Sequence, residues 1–287
     1  MSSNMVRRIA FAVVAIPLVI GVVWLGEWPL IALLVVAATL GIDEIFQLAE
    51  RAGATPFRNV GRTLAVAVPL AFLAIAKLPV DHWFADGWLY VGLLALLLVI
   101  GTAVFTYAPG KRPLSSIAIT IFGVLYCAVL PSMLFFIRHA HWGIRSWQGT
   151  VLVFFPLVVT WVCDSAAMLG GQMIGGPKLA PTISPGKTRA GGVSGLIAGT
   201  AMGAVFALFV FPRVGLDVDL VAAIVLAFAL SVIGQIGDLA ESLFKREAGV
   251  KDSSALIPGH GGVLDRLDSL YFAIPAAAIG FHVLGII

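Results

Sequence analysis

The chain has 287 residues, 60% of them hydrophobic and only 11% charged, with a net charge of +3. Soluble domains carry roughly a quarter charged residues, so this composition excludes a soluble globular enzyme and points to a polytopic integral membrane protein. The basic residues mark topology first, and no nucleic acid is expected as a partner.

A bilayer span takes about 20 apolar residues. Nine such runs are legible, at about 9–26, 28–48, 63–79, 87–107, 114–138, 151–170, 191–212, 218–239 and 269–287. The expected fold is therefore all-α, with about nine transmembrane helices. The first run follows Arg7 and Arg8, but it is long, lacks a small-x-small cleavage site and leads directly into the second; it reads as a retained span. Cys127 and Cys163 fall inside apolar runs and offer neither a disulfide framework nor metal-ligand spacing.

Lys and Arg accumulate on the cytoplasmic side of membrane proteins. Fourteen of them, from Arg7 to Arg266, lie on the side of the N-terminus and the even-numbered loops, against Lys77, Arg138, Arg145 and Arg213 on the other. The N-terminus and the polar loops are thus expected in the cytoplasm, with the chain in the plasma (inner) membrane.

Two regions are expected. Residues 1–150 hold about five transmembrane helices joined by short loops. Residues 151–287 form a catalytic region with two polar cytoplasmic loops rich in Gly, Pro, Ser and paired charges. In the first region, Asp43 and Glu44 read as interfacial acids, or as acids paired with a basic loop residue such as Arg51 or Arg58, in preference to a catalytic role. His139 and His141, beside Trp142 and Trp147, read as an aromatic belt on the far side.

The first polar loop runs from Trp161 to Gly192. Asp164 lies in or at the end of the sixth run, where an unpaired carboxylate costs several kcal/mol; it needs a cation, a metal or a water-filled cavity. Ser184-Pro185-Gly186-Lys187-Thr188 is not a phosphate-binding P-loop, because Pro181 stands where that pattern needs Gly. Two hydroxyls and a Lys beside a Gly still suit phosphate oxygens, and a topogenic basic loop explains them equally well.

The second loop runs from Gly234 to Asp268. On a continuing helix, Asp238, Glu241, Ser242 and Lys245 share one face, and Asp265 and Asp268 share another by the same spacing. Between them, Pro258-Gly259-His260-Gly261-Gly262 suits a turn that presents backbone N–H groups to an anion. Acids and bases gathered around such a turn fit a site for Mg²⁺ and polyphosphate better than an ion-paired helix face.

Ser242-Leu243-Phe244-Lys245-Arg246, then Lys251-Asp252, then Ile257 through Asp268 (IPGHGGVLDRLD) resembles the hallmark of the phosphatidate cytidylyltransferases, also called CDP-diacylglycerol synthases, across 27 residues. The upstream Asp164-Ser165, Lys178 to Pro181 and Ile183 to Thr188 are similar to that family's second block. Met168, Arg189 and Ala190 depart from its pattern.

The resemblance implies that CTP and phosphatidic acid give CDP-diacylglycerol and pyrophosphate with Mg²⁺ at the membrane interface. It implies Asp238, Asp265 and Asp268 as metal ligands, with Asp164 either completing that shell or pairing with Lys187. Lys187, Lys245, Arg246 and Asp265 are the expected catalytic residues. Ser184, Thr188, Ser242, Lys251 and Arg266 would join the lysines and Arg246 around the substrates, and His260, Gly261 and Gly262 would line the nucleotide pocket. A homodimer is suggested by the same analogy. Two other readings compete: an ion-coupled transporter, since intramembrane acids mark ion paths, and an enzyme using CTP on another lipid acceptor.

Overall fold

The computed structural model describes residues 16–75, 87–108, 110–256 and 261–287. In chain order the elements are α1 (Ile16–Leu25), α2 (Glu27–Arg51), α3 (Arg58–Ile75), α4 (Gly87–Phe105), α5 (Pro113–Val124), α6 (Leu130–His139), α7 (Trp147–Ile174), β1 (Lys178–Ala180), β2 (Ser184–Thr188), α8 (Arg189–Val205), α9 (Leu220–Glu247), α10 (Leu264–Leu267) and α11 (Leu270–Val283). A π-helical turn, Leu125–Val129, joins α5 to α6 in one rod, and another, Phe206–Val210, prolongs α8.

Among the described residues, six helices are long and apolar enough to cross a membrane: α2, α3, the α5–α6 rod, α7, α8 with its extension, and α9. Shorter apolar helices cover Ile16–Leu25 and Tyr90–Phe105. A multi-pass helical architecture results, although these six do not by themselves make up the nine spans expected. Large apolar side chains such as Leu94, Leu97, Val193, Ile197 and Val221 stand exposed on the outside, where a bilayer satisfies what water would not.

The all-α expectation holds, with one small sheet beside the helices. β1 and β2 form a two-stranded antiparallel hairpin, with Lys178 opposite Thr188 and Ala180 opposite Ser184. It sits in the first polar loop and leads straight into α8, whose first turn is capped by Thr188 Oγ1 accepting from Gly191 N at 3.1 Å.

α8 packs through small residues. Gly191, Gly195, Gly199 and Gly203 are its buried residues, four apart and so on one face. A β-carbon at Gly195 would come within 2.7 Å of Cys163 O on α7, and one at Gly203 within 2.5 Å of Ala223 O on α9. Small residues at this spacing let membrane helices touch backbone to backbone, and the α7–α8–α9 unit is built on that contact.

At the opposite end of the bundle, Arg138 is 0% exposed. Its guanidinium donates to Val23 O at 2.6 Å, Trp24 O at 2.8 Å and Gly143 O at 2.9 Å. It thereby satisfies carbonyls that the end of α1 leaves without helical partners. His139 Nε2 accepts from Glu27 N at 2.9 Å, so this residue fastens the start of α2 rather than serving an aromatic belt. Arg138→Leu is expected to destabilise the protein by about 3 kcal/mol, since charge-assisted hydrogen bonds are lost and buried carbonyls are left unpaired; thermal unfolding in detergent measures it.

Candidate active site

The C-terminal halves of α7 and α9, the hairpin and the start of α8 enclose a cavity of about 320 Å³. Asp164, Lys187, Thr188, Gln235 and Asp238 line it. Lys187, carried by β2, places Nζ 2.6 Å from Asp238 Oδ2 on α9. That contact binds the hairpin to the helix and closes one wall. Both side chains remain partly exposed, at 28% and 26%, as groups facing an open cavity do.

Below this pair lies a third carboxylate. Ser269 links two acids: its N–H donates to Asp268 Oδ1 at 2.7 Å and its hydroxyl to Asp164 Oδ2 at 3.3 Å. Burial, and then the neighbouring charges of Asp238 and Asp164, push the Asp268 carboxyl up to about 7. Asp164, Asp238 and Asp268 are therefore brought together on one side.

Asp265 goes elsewhere. Its Oδ1 accepts from Lys245 Nζ at 2.7 Å, and its Oδ2 accepts from Ser253 N at 2.9 Å and Gly262 N at 2.8 Å, with Ser253 Oγ 2.8 Å away. Burial alone would raise its pKa, but Lys245 and the loop donors bring it below the ordinary carboxylate value. Lys245 is equally committed, since its Nζ also reaches Glu241 Oε2 at 2.7 Å. The sequence expectation of a shared face for Glu241 and Lys245 holds, and Lys245 spends its charge there rather than on open space.

The other expected residues divide by place. Arg246 donates to Ile183 O at 3.0 Å and Val250 O at 3.1 Å, tying the hairpin turn to the end of α9. Ser184 sits in β2, Ser242 is buried, and Thr188 lines the cavity while capping α8. Lys251 and Arg266 are exposed, without an ion pair among the described residues. Gly261 adopts φ +79°, the left-handed conformation glycine tolerates. His260 lies outside the described residues.

Two residues were missed. Gln235 lines the cavity and donates through Nε2 to Gly192 O at 3.2 Å; a lone amide in an apolar run carried no pattern. Glu44 was read as interfacial, yet it is 3% exposed and accepts hydrogen bonds from the second polar loop. A helical wheel would have found it, because it shares the face of α2 that buries Gly41, Ile45 and Leu48. Asp43 takes a basic partner, chiefly Arg62 rather than the expected Arg51 or Arg58. Arg62 grips it through two bonds of 2.8 and 3.1 Å, with Arg58 at 3.8 Å.

Six carboxylates (Glu44, Asp164, Asp238, Glu241, Asp265 and Asp268) thus stand along one polar seam with two lysines between them. Glu241 Oε1 is buried without a hydrogen-bond partner. Hard oxygen donors in excess of cations suit a divalent metal. Among the described residues no three such groups already form a ligand shell, and a magnesium site needs only one or two carboxylates besides phosphate oxygens.

The sequence matches the Cytidylyltransferase family over residues 6–284. The chain belongs to that family. Among curated relatives it is 39% identical over 184 residues to the phosphatidate cytidylyltransferase of Haemophilus influenzae, covering 63% of this chain and 62% of the relative. It is 47% identical over 131 residues to that of Brucella suis, covering 46% of each. With that of Staphylococcus epidermidis it shares 32% over 206 residues, covering 71% of this chain and 74% of the relative. The matched stretches thus span between about half and three quarters of these cytidylyltransferases. A divalent cation is the cofactor the family suggests, in keeping with the oxygen donors of the seam.

A β-carbon at Gly262 would fall against Ser253 Oγ and the Glu44 carboxylate. Gly262→Ala is accordingly expected to cost about 2 kcal/mol by overpacking. Gly101→Ala, with nothing within 4 Å, should stay within about 1 kcal/mol of the parent or gain slightly. Thermal unfolding of the two variants makes the comparison.

Proposed function

We propose that this chain transfers the cytidylyl group of CTP to phosphatidic acid, giving CDP-diacylglycerol and pyrophosphate. The observation that carries the reading is the Lys187–Asp238 pair on the wall of a cavity that Asp164 also lines, in a chain whose relatives bear the name phosphatidate cytidylyltransferase.

A phosphate oxygen of phosphatidic acid attacks the α-phosphorus of CTP. One P–O bond forms, the bond to the β-phosphate oxygen breaks, and pyrophosphate leaves with its electron pair. The monoester is already anionic near neutral pH, so no strong base is required. The obstacle is repulsion between two polyanions, which fixed positive charge reduces. Lys187 is the cation facing the cavity, and phosphate competes with Asp238 for it. Arg246 fixes the hairpin that carries Ser184 and Lys187.

Asp238, Asp268 and Asp164 are the residues that would hold Mg²⁺. When bound, the ion supplies charge neutralisation on the phosphates. Asp265 joins this set only if Lys245 or the loop donors release it. Its place in the structure supports a different role, holding Lys245 and the Gly-rich turn. Lys251, Arg266 and His260 remain proposed contacts for the nucleotide.

The loop charges favour a cytoplasmic site in the plasma membrane, where CTP is available and the lipid phosphate lies at headgroup depth. A dimer remains part of the proposal by family analogy alone.

Purified protein with Mg²⁺, CTP and phosphatidic acid should release pyrophosphate, and should not do so when the lipid is left out. Lys187→Met should lower kcat/KM by about 100-fold or more, the scale for losing a group that stabilises transition-state charge. Release only with another lipid phosphate or alcohol would replace the acceptor, and no release with any lipid would remove the reaction. Separately, a cysteine at the exposed Asp252 should resist an impermeant thiol reagent in intact cells and react after lysis. Labelling in intact cells would reverse the orientation.

A further inference from the structure

Glu44 belongs to α2, in the half of the chain that holds none of the residues expected at the site, yet its carboxylate lies within the second polar loop. Oε1 accepts from Ser254 Oγ at 2.7 Å and Val263 N at 3.0 Å; Oε2 accepts from Ser253 Oγ at 2.8 Å and Leu264 N at 2.9 Å. Each oxygen therefore receives one hydroxyl and one backbone N–H. Among the described residues no base forms an ion pair with it. A buried carboxylate without a countercharge is tolerated only when its lone pairs are filled in this way.

The four donors flank the Gly-rich turn, two from Ser253 and Ser254 before it and two from Val263 and Leu264 after it. Glu44 thereby joins residues 253–254 to residues 263–264. Ser253 Oγ also lies 2.8 Å from Asp265 Oδ2, and Asp265 holds Lys245. One side chain of α2 thus connects to the loop, to Asp265 and to the lysine of α9.

Resting on the reaction proposed above, we infer that Glu44 is a positioning residue for it: from the first half of the chain it fixes residues 253–254 and 263–264, and through them Asp265 and Lys245. Glutamine tests this sharply. Val263 N and Leu264 N donate to different oxygens, so either rotamer of an amide sets its NH₂ against one of them. Ser254→Ala removes a single donor and leaves both backbone bonds.

In Glu44→Gln, kcat for pyrophosphate release should fall by about 100-fold, the effect of small misplacement in a reacting site. The KM for CTP should move much less than kcat. Ser254→Ala should cost about tenfold, and the double variant should be little worse than Glu44→Gln alone, as expected for residues acting as one unit. Asp43→Asn, which loses only surface ion pairs with Arg62 and Arg58, should stay within about twofold of the parent.

Hydrogen exchange followed by mass spectrometry supplies the second measurement. Amides of residues 253–264 should exchange faster in Glu44→Gln, while α2, α7 and α9 keep their protection. Unchanged kcat, unchanged loop exchange, or faster exchange throughout the helices would each overturn the inference. If the parent itself releases no pyrophosphate, the reaction fails and the positioning role with it, while the exchange comparison still decides whether Glu44 fastens the loop.

Discussion

A carboxylate withdrawn from water must find a donor for each oxygen or a cation nearby, and that requirement shapes the polar end of this bundle. The loops there are too short of apolar side chains to order themselves by packing. They are ordered by acids instead. Asp238 holds the hairpin through Lys187, Asp265 and Glu241 share Lys245, and Glu44 gathers both flanks of the Gly-rich turn. The polar seam is at once the scaffold of the candidate site and a source of its negative field.

Much of the architecture was legible because apolar length alone sets a membrane helix. The long runs at 28–48 and 151–170 fall inside α2 and α7, and that at 218–239 coincides with α9 from Leu220 onward, its N-cap being Asp219. The Glu241–Lys245 contact followed from spacing on a helix. The hairpin was illegible for a physical reason: KLA and SPGKT contain few β-branched residues and two breakers, and their strands are secured by Lys187 reaching Asp238 on α9 and by Arg246 of α9 reaching back to Ile183 O, a tertiary effect. Likewise Arg138 looked like a loop marker, because its partners at Val23 and Trp24 lie more than a hundred positions away.

The structure groups the expected acids differently from the sequence spacing. Sequence reasoning placed Asp238, Asp265 and Asp268 in one ligand set; the structure brings Asp238 and Asp268 together with Asp164 and sends Asp265 to Lys245 and Ser253. Three residues separate Asp265 from Asp268, which on a regular helix puts them on a common face. The backbone keeps helical dihedrals through Asp268 and Ser269, so the split lies in the partners: Lys245, Ser253 N and Gly262 N hold Asp265, while Ser269 N holds Asp268. The Gly-rich motif, too, has a packing reason beside any binding one, since Glu44 and Ser253 occupy the space a β-carbon at Gly262 would need.

The bare face of α8 gives that helix two surfaces under different rules. Toward α7 and α9, any added carbon wedges apart backbones that meet at Cys163 and Ala223, and so distorts the chamber those helices enclose. Toward the lipid, Val193 and Ile197 stand clear of the bundle and are interchangeable with other oily side chains. Sequence drift along this segment should therefore run in a four-residue rhythm, frozen on one flank and free on the other.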